Sequence, residues 1–248
     1  IIVAAGGRGA LAVRMTERAT PYYEIKSLTR DIGLWTDVRA FFEIYALIKK
    51  IKPDILHLNS SKASFLGAIA GRFALVPKIV SSTHGWPFLE DLPKWQRTFR
   101  RILTRFESPF IDLIICVSKF DYEIGMQSHI APATKLIQIH NGVDASRHVF
   151  LDRPTAREKL FKKVAIPEKN YFIVGSIAEY TKTKGLGYLI EAASHIMKVE
   201  PRMLFLLVGG GEDKPLLERK IAHHQLGQNV FLVDHLAEAF SYLKAFDI

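Results

Sequence analysis

Short apolar runs alternate with helical stretches along the chain, and this alternation constrains the fold more than any other feature of the sequence. The predicted strands cover residues 1–5, 21–25, 55–58, 78–82, 113–117, 135–139, 171–174, 203–208 and 230–233. The predicted helices include residues 37–50, 93–106, 186–197 and 214–224. Short strands separated by helices are typical of parallel βαβ units. We therefore expect an α/β protein with doubly wound parallel sheets.

The strands and helices fall into two series with a gap between them. Apolar periodicity lapses between residues 144 and 154, where polar residues collect as in a hinge linker. This pattern predicts two Rossmann-like domains, residues 1–148 and residues 149–248. The chain opens on the strand-like IIVAA without a methionine and closes on YLKAFDI, which reads as the start of another strand. We therefore expect both domains to be incomplete and the chain to be part of a longer protein.

Composition limits the classes of function. Apolar residues make up 48% of the 248 residues, which is ample for buried cores. The single cysteine, Cys116, lies within the apolar run IDLIICVS, so we expect an inert buried thiol and no disulfide framework. No apolar run approaches the roughly 18 residues needed to span a bilayer, and the first residues lack a signal-peptide pattern. We expect a soluble, cytoplasmic protein.

Two predicted strands run into loops with little side-chain bulk, VGSIAEYTKTKG at 174–185 and LFLLVGGGED at 204–213. Main-chain N–H groups and lysines on such loops can face a phosphate. Two such loops in one half of the chain indicate a nucleotide site. The residues assigned to it here are Gly175, Ser176, Lys182, Lys184, Gly185, Gly209, Gly210 and Gly211. The alternatives are a solvated basic turn and ordinary turns between strand and helix.

Together with HNGVD at 140–144, this layout resembles the C-terminal half of a GT-B fold glycosyltransferase of the large retaining group, family 4. The resemblance covers nearly the whole chain. It implies transfer of a hexosyl group from a UDP- or GDP-linked sugar to a glycan or lipid-linked acceptor, with retention of configuration and without a bound metal or cofactor. The first domain would form the acceptor side, the second would bind the nucleotide sugar, and the two would face each other across a cleft.

The resemblance also implies features outside the sequence at hand. Members of the family carry a glycine-rich loop on their first strand, which would precede Ile1. They also carry an acidic pair, E-x7-E, shortly after a strand like KAFDI, which would follow Ile248. We therefore expect this chain, on its own, to bind nucleotide weakly and to transfer no sugar.

The resemblance assigns roles to individual residues. Lys184, before Gly185, matches the family lysine that neutralises the departing diphosphate. The family arginine after the strand glycine is replaced by Ser176, which has no charge, and Lys182 is the expected substitute. His84, in STHG, matches a histidine at a strand end that touches the donor sugar. Lys184 and His84 are thus the candidate catalytic residues, and His235 is a candidate contact near the base.

A basic amphipathic helix is predicted at residues 93–106. It combines Lys94, Arg97, Arg100, Arg101 and Arg105 with aromatic and aliphatic residues. Such a helix can lie on an anionic leaflet, giving a peripheral contact with the inner face of the membrane. The alternative is that its apolar side packs on the sheet. Nucleic acid is not expected as a partner, although the net charge is +9, because no nucleic-acid module is visible.

Two other functions are consistent with parts of the sequence. Gly7, Gly9 and Ala12 satisfy G-x-G-x-x-A after the first strand, and Glu24 ends the next strand where a ribose-binding acid is expected. This pattern would suit an NAD-dependent oxidoreductase, but it leaves the second half of the chain unexplained. The other alternative is a non-catalytic relative that binds a nucleotide or sugar, which Ser176 in place of arginine would suit.

Overall fold

The structure, a computed structural model, describes residues 1–29, 33–144, 149–166, 170–236 and 238–248. The chain divides into two compact units, Ile1–Gly142 (unit 1) and Val143–Ile248 (unit 2). The boundary expected at 148/149 adjoins residues 145–148, which lie outside the described residues. The assignment of unit 1 to the acceptor and unit 2 to the donor stays a prediction.

Unit 1 contains two parallel sheets with helices between the strands. Its described strands are β1 (Val3–Ala5), β2 (Tyr22–Glu24), β3 (Ile55–Asn59), β4 (Lys78–Thr83), β5 (Leu113–Cys116) and β6 (Leu136–Gln138). Its described helices are α1 (Ala10–Glu17), α2 (Leu34–Ile51), α3 (Ser61–Phe73), α4 (Lys94–Glu107) and α5 (Lys119–Gln127). β1 pairs with β2, and a separate sheet has the order β3-β4-β5-β6. All of these pairings are parallel, as predicted.

The core of unit 1 lies between the four-stranded sheet and its helices. α3 approaches this sheet closely, since a Cβ atom added at Gly71 would lie 2.8 Å from side-chain atoms of both Ile79 and Leu56. Cys116 is fully buried, and burial, with a smaller effect of the Asp121 charge, raises the pKa of its thiol to about 11. The prediction of a buried, unreactive thiol is confirmed, because almost none of it is thiolate at neutral pH.

Helix α4 begins at Lys94 and ends at Glu107, close to the predicted bounds. Four of its apolar side chains, those of Trp95, Phe99, Ile102 and Phe106, are each more than half exposed. Of the two alternatives for this helix, packing of its apolar side on the sheet is therefore wrong for these four residues. In the described parts of the chain, every helix is too short or too polar to cross a bilayer.

Unit 2 contains one parallel sheet of order β7-β8-β9. Its described elements are α6 (Arg153–Val164), β7 (Phe172–Ile177), α7 (Leu186–Ile196), β8 (Met203–Val208), α8 (Lys214–His223) and β9 (Val230–Val233). The central strand is covered on both faces, because residues 204–208 are at most 1% exposed. This burial explains the uninterrupted apolar run LFLLV, which is typical of a parallel strand between helices.

The last residues of the chain differ from the predicted strand at YLKAFDI. Ala239–Ala245 form a 3-10 helix, and residues 246–248 alone run beside β7. There the Asp247 N–H donates to the Ile173 carbonyl at 2.8 Å, and the Gly175 N–H donates to the Ile248 carbonyl at 2.8 Å. The predicted strand is therefore wrong for residues 242–245.

Candidate functional site

Three loops leave the sheet of unit 2 at its carboxyl edge, at residues 178–185, 209–213 and 234–236. The Tyr180 N–H of the first loop donates to the Gly210 carbonyl of the second at 2.8 Å, and the Gly209 N–H donates to the carbonyl of Val233, the last residue of β9, at 2.9 Å. In open α/β sheets, ligands bind at the carboxyl ends of the strands. We call these three loops the carboxyl edge of unit 2, and they bring together most of the predicted nucleotide residues.

Tyr180 is the buried centre of this edge. Its hydroxyl lies 2.5 Å from the Leu207 carbonyl and 2.9 Å from the Val233 carbonyl, and its own carbonyl accepts from the Asp213 N–H at 3.0 Å. Burial, and to a lesser extent the Asp234 charge, raises the pKa of Tyr180, which keeps the hydroxyl a donor. Tyr180 is not among the site residues predicted from the sequence. The only signal for it is an aromatic side chain within the polar stretch AEYTKTK.

Two of the three consecutive glycines are explained by packing between the loops. A Cβ atom at Gly209 would lie 1.9 Å from the Ala178 carbonyl oxygen, and one at Gly211 would lie 2.5 Å from the Tyr180 carbonyl oxygen. Gly211 also has a φ of +155°, which disfavours other residues. At Gly210 a Cβ atom would meet nothing within 4 Å. Packing therefore gives no reason for a glycine at position 210, and a contact of Gly210 with a ligand stays a prediction.

Alanine substitutions at Gly209 and Gly210 should separate these two roles. We expect Gly209→Ala to lower the free energy of unfolding by about 2 kcal/mol, because the added methyl overlaps a main-chain oxygen. Gly210→Ala is the matched control for stability and should leave unfolding unchanged. If a nucleotide approaches this loop, Gly210→Ala should instead weaken nucleotide binding, as measured by calorimetric titration. Equal unfolding midpoints for the two variants would contradict the packing role of Gly209.

The loop that carries the lysines ends in a turn fixed by glycine. Lys182–Lys184 form a 3-10 turn, and Gly185 has a left-handed φ of +67° before α7 begins. The Lys184 N–H donates to the Thr181 carbonyl at 3.0 Å, which closes this turn. Both lysines are exposed next to the first turn of α7, where the helix contributes a further partial positive charge. This end of the loop can therefore attract a diphosphate.

Gly175 and Ser176 lie within β7 and not on the loop that follows it. A Cβ atom at Gly175 would lie 2.1 Å from the Phe246 ring, and its N–H already donates to the Ile248 carbonyl. Packing against the end of the chain thus gives a structural reason for this glycine. Ser176 is half-buried and pairs with Leu207 of β8. Contacts of either residue with a donor stay a prediction.

The third loop carries His235, which is exposed just after β9. Beside it, Lys214 Nζ lies 2.5 Å from the Asp234 carboxylate, so the first residue of α8 is linked to the end of β9. The hydrogen bond to Asp234 raises the pKa of Lys214. This pair is not predicted from the sequence, since nothing in the spacing of the two residues shows that the two loops meet. A base contact by His235 stays a prediction.

His84 belongs to unit 1 and follows β4. The next two residues shape its surroundings: Gly85 has a φ of +106°, and Trp86 is buried and donates its indole N–H to the Asp121 carbonyl at 2.7 Å. The turn and its anchor leave the imidazole of His84 exposed at the carboxyl end of the strand, where the sequence predicts it. Its catalytic role is not tested by this geometry and stays a prediction.

The segment that matches G-x-G-x-x-A does form a strand, a loop and a helix, β1 and α1. Gly7 has a φ of +70°, which suits the tight turn. Glu24, the acid that would bind a ribose, is paired with Arg8 instead, since its carboxylate lies 2.7 Å from Arg8 Nε. Within the described ranges, no three His, Cys, Asp or Glu side chains converge as a metal site requires. That the reaction proceeds without a metal stays a prediction.

Comparison with known proteins shows that both units match family models of glycosyltransferases. The family model Glycosyltransferase Family 4 matches residues 1–147, and the family model Glycosyl transferases group 1 matches residues 156–248. The UDP-Gal:alpha-D-GlcNAc-diphosphoundecaprenol alpha-1,3-galactosyltransferase of Escherichia coli is 30% identical over 191 residues, which are 76% of this chain and 48% of that protein. The capsular polysaccharide biosynthesis glycosyltransferase CapM of Staphylococcus aureus is 22% identical over 226 residues, 89% of this chain and 58% of that protein. The chain thus spans about half the length of these relatives.

A solved structure confirms the fold. HepE of Anabaena, crystallised in complex with UDP and glucose, superposes with a TM-score of 0.77 at 20% identity, covering 99% of this chain and 64% of that chain. This similarity confirms the expected pair of Rossmann-like domains of GT-B type. Since the model Glycosyltransferase Family 4 matches residues 1–147, more than half of the 248 residues, this chain belongs to glycosyltransferase family 4.

Proposed function

We propose that the complete protein transfers a hexosyl group from a UDP- or GDP-linked sugar to a glycan or lipid-linked acceptor, with retention of configuration. The observation that carries the proposal is the carboxyl edge of unit 2, where the lysine loop is hydrogen-bonded to a glycine loop with open space at Gly210. Family membership supports the reaction class. The names of the relatives in Escherichia coli and Staphylococcus aureus support an acceptor used in cell-envelope polysaccharide synthesis.

The predicted site residues of this chain would each have a separate role in the transfer reaction. The bond between the anomeric carbon and the diphosphate oxygen breaks, the acceptor oxygen forms a bond to the same carbon, and the proton of the acceptor hydroxyl leaves with the nucleoside diphosphate. Lys184, supported by Lys182 and the first turn of α7, would stabilise the negative charge that develops on the diphosphate. Gly210 would allow close approach of the nucleoside, and His84 would align the sugar. In this mechanism lysines would stabilise the charge on the diphosphate, without a resident metal or cofactor.

Retention of configuration rests on the resemblance to the retaining group. Its measurement is direct, because proton NMR of the first product formed reports whether the anomeric configuration equals that of the donor. An inverted product would remove retention from the proposal and leave the transferase itself intact.

A lipid-linked acceptor would bring the enzyme to a membrane surface. We therefore propose that the protein is cytoplasmic and that α4 makes a peripheral contact with the inner face of the membrane. The exposed apolar residues of this helix and its five basic residues support that contact.

The nucleotide preference can be tested by thermal unfolding of the full-length protein with UDP, GDP, ADP or NAD at equal concentrations. We expect UDP or GDP to raise the unfolding temperature and NAD to have no effect. A ligand at a hundred times its Kd stabilises the folded state by about 2.7 kcal/mol, a shift that is easily measured. Stabilisation by NAD alone would contradict the proposal. Binding of UDP with neither transfer to any acceptor nor hydrolysis of the sugar nucleotide would favour the non-catalytic relative.

A further inference from the structure

An apolar surface extends over helices α2, α3 and α4 of unit 1, which we call the three-helix surface. On α4, Trp95, Phe99, Ile102 and Phe106 follow one another at spacings of three and four residues, so they lie on one face of the helix. The exposed fractions of these side chains lie between 54% and 69%. Large apolar side chains grouped in this way mark an interaction site more often than isolated ones do.

Helix α2 presents a second group of this kind. Leu34, Trp35 and Phe42 are 76%, 79% and 61% exposed, and α2 packs against α3. Between α2 and α3 lies an open groove of about 390 Å³, lined by Leu34, Asp37, Val38, Phe41, Phe65, Leu66 and Ile69. Asp37 is its single acid, and its carboxylate is paired with Lys62. The groove is therefore an almost entirely apolar extension of the α2 face.

Phe65 of α3 joins the two groups. It lines the groove on one side, and on the other its ring lies 6.4 Å from the ring of Phe106, measured between centroids. The exposed residues of α2, the groove and the stripe of α4 are thus connected by direct side-chain neighbours. The sequence predicts apolar faces on the helices at 37–50 and 93–106, and the structure adds the exposure of α2 and the groove that joins them.

The charges beside the stripe are positive. Among the described residues, Arg100 is the basic residue of α4 that pairs with a carboxylate, that of Glu90. Arg97 and Arg105 donate to neutral main-chain carbonyls, those of Phe88 and Ser128. Lys94 and Arg101 are exposed. A partner for this surface must therefore supply both an apolar layer and negative charge.

The acid of α4 does little to offset these charges. Burial raises the pKa of Glu107 to about 8, so its carboxyl is mostly protonated at pH 7. The helix consequently keeps almost its full positive charge at neutral pH.

We propose that the three-helix surface docks on an anionic lipid bilayer, with Trp35, Trp95 and Phe99 entering the headgroup boundary and the basic residues of α4 facing anionic headgroups. Two exposed indoles with flanking lysine and arginine fit the boundary of a bilayer, which is apolar on one side and charged on the other. This inference extends the proposed contact of α4 to α2 and the groove. It rests on the proposed function only in that a lipid-linked acceptor would bring the enzyme to a membrane.

The test is co-sedimentation of the full-length protein with vesicles of phosphatidylglycerol and phosphatidylcholine in equal parts, and with vesicles of phosphatidylcholine alone. We expect binding to the anionic vesicles that weakens as salt is added. Neutralising two charges with Lys94→Gln and Arg101→Gln should weaken it about 25-fold, roughly fivefold for each charge. Phe99→Glu should abolish it. Trp35→Glu, on α2, should weaken it at least tenfold, which a contact made by α4 alone would not show.

Val199→Glu and Lys198→Gln are the matched controls, because they change an exposed apolar and a basic residue of unit 2. Both should bind vesicles like the unchanged protein. Equal binding to the two kinds of vesicle, or full binding by Phe99→Glu, would overturn the proposal. A dimer in solution that Trp35→Glu dissociates, without vesicle binding, would assign the surface to a second copy of the protein and also overturn it.

The same variants keep this inference separate from the proposed function. None of the substituted residues belongs to the carboxyl edge of unit 2, so thermal stabilisation by UDP or GDP should be unchanged in all of them. Loss of vesicle binding with intact nucleotide binding supports the docking surface. A protein that binds vesicles but no nucleotide would leave the docking surface standing and remove the proposed function.

Discussion

Replacing Lys184 with alanine is expected to lower the kcat of the full-length enzyme by about 100- to 1000-fold, because a positioned group that stabilises developing charge typically contributes this much. The side chain is exposed and the turn is closed by main-chain hydrogen bonds, so the fold should tolerate the change. If Lys184 acts mainly on the departing diphosphate, kcat should fall more than KM rises. The measurement is steady-state transfer from the nucleotide sugar with both substrates varied.

Two further variants make this result specific. Lys198→Ala removes an exposed lysine elsewhere in unit 2 and should keep full activity. Lys184→Arg keeps the charge in a different geometry and should recover part of the lost rate. An activity of Lys184→Ala within twofold of the unchanged enzyme would remove this residue from the chemistry and make Lys182 the next residue to test.

The position of β8 follows from the sequence because burial of the strand on both faces requires an uninterrupted apolar run. The run MLFLLV predicts Met203–Val208 without error, since a parallel strand covered by helices has no polar face to interrupt the pattern. The start of α7 is equally visible, because Lys184 and Gly185 directly precede an amphipathic stretch and the predicted helix 186–197 begins where α7 does. Local rules suffice for both features.

Other parts of the site depend on contacts between distant segments, which single-sequence patterns do not encode. Gly175 is explained by Phe246, and Gly209 by the Ala178 carbonyl, so identical glycine signals arise from packing and from ligand binding. Tyr180 joins its own loop to the ends of β8 and β9 although it lies in a polar stretch. The periodicity of α4 predicts a helix and its apolar face, but not whether another element covers that face.

Asp247 makes contacts between segments of unit 2 that are far apart in the sequence, and these contacts should stabilise the unit. Its carboxylate accepts from Arg157 Nη2 at 2.7 Å and from the Ile173 N–H at 2.7 Å, and it also pairs with Arg153. The side chains of Asp247 and Arg157 are each 15% exposed. One carboxylate thus connects α6, β7 and the last residues of the chain. A nearly buried charge in such a network is costly to leave without its partner.

We expect Asp247→Asn to lower the free energy of unfolding of unit 2 by about 3 kcal/mol, near the lower end of the range for a broken buried pair because Arg153 is half exposed. Tryptophan fluorescence provides an internal control, because Trp35, Trp86 and Trp95 all belong to unit 1. In urea, the transition seen by far-ultraviolet circular dichroism should shift more than the one seen by fluorescence. Glu158→Gln, which removes an exposed pair with Lys162, should shift neither.

The difference in unfolding free energy between the unchanged protein and Asp247→Asn should depend on pH, because the same contacts shift the pKa of Asp247. Burial raises the pKa of Asp247, but the Ile173 N–H and the two arginines outweigh it and hold the pKa below its ordinary value of 3.8. A carboxyl with a lowered pKa in the folded state stabilises that state above its unfolded pKa, and the contribution is lost as the pH falls through the folded pKa. The gap between the unchanged protein and Asp247→Asn should therefore be full at pH 7 and should shrink below about pH 4. A gap that stays constant down to about pH 3 would show that Asp247 acts through packing and not through its charge.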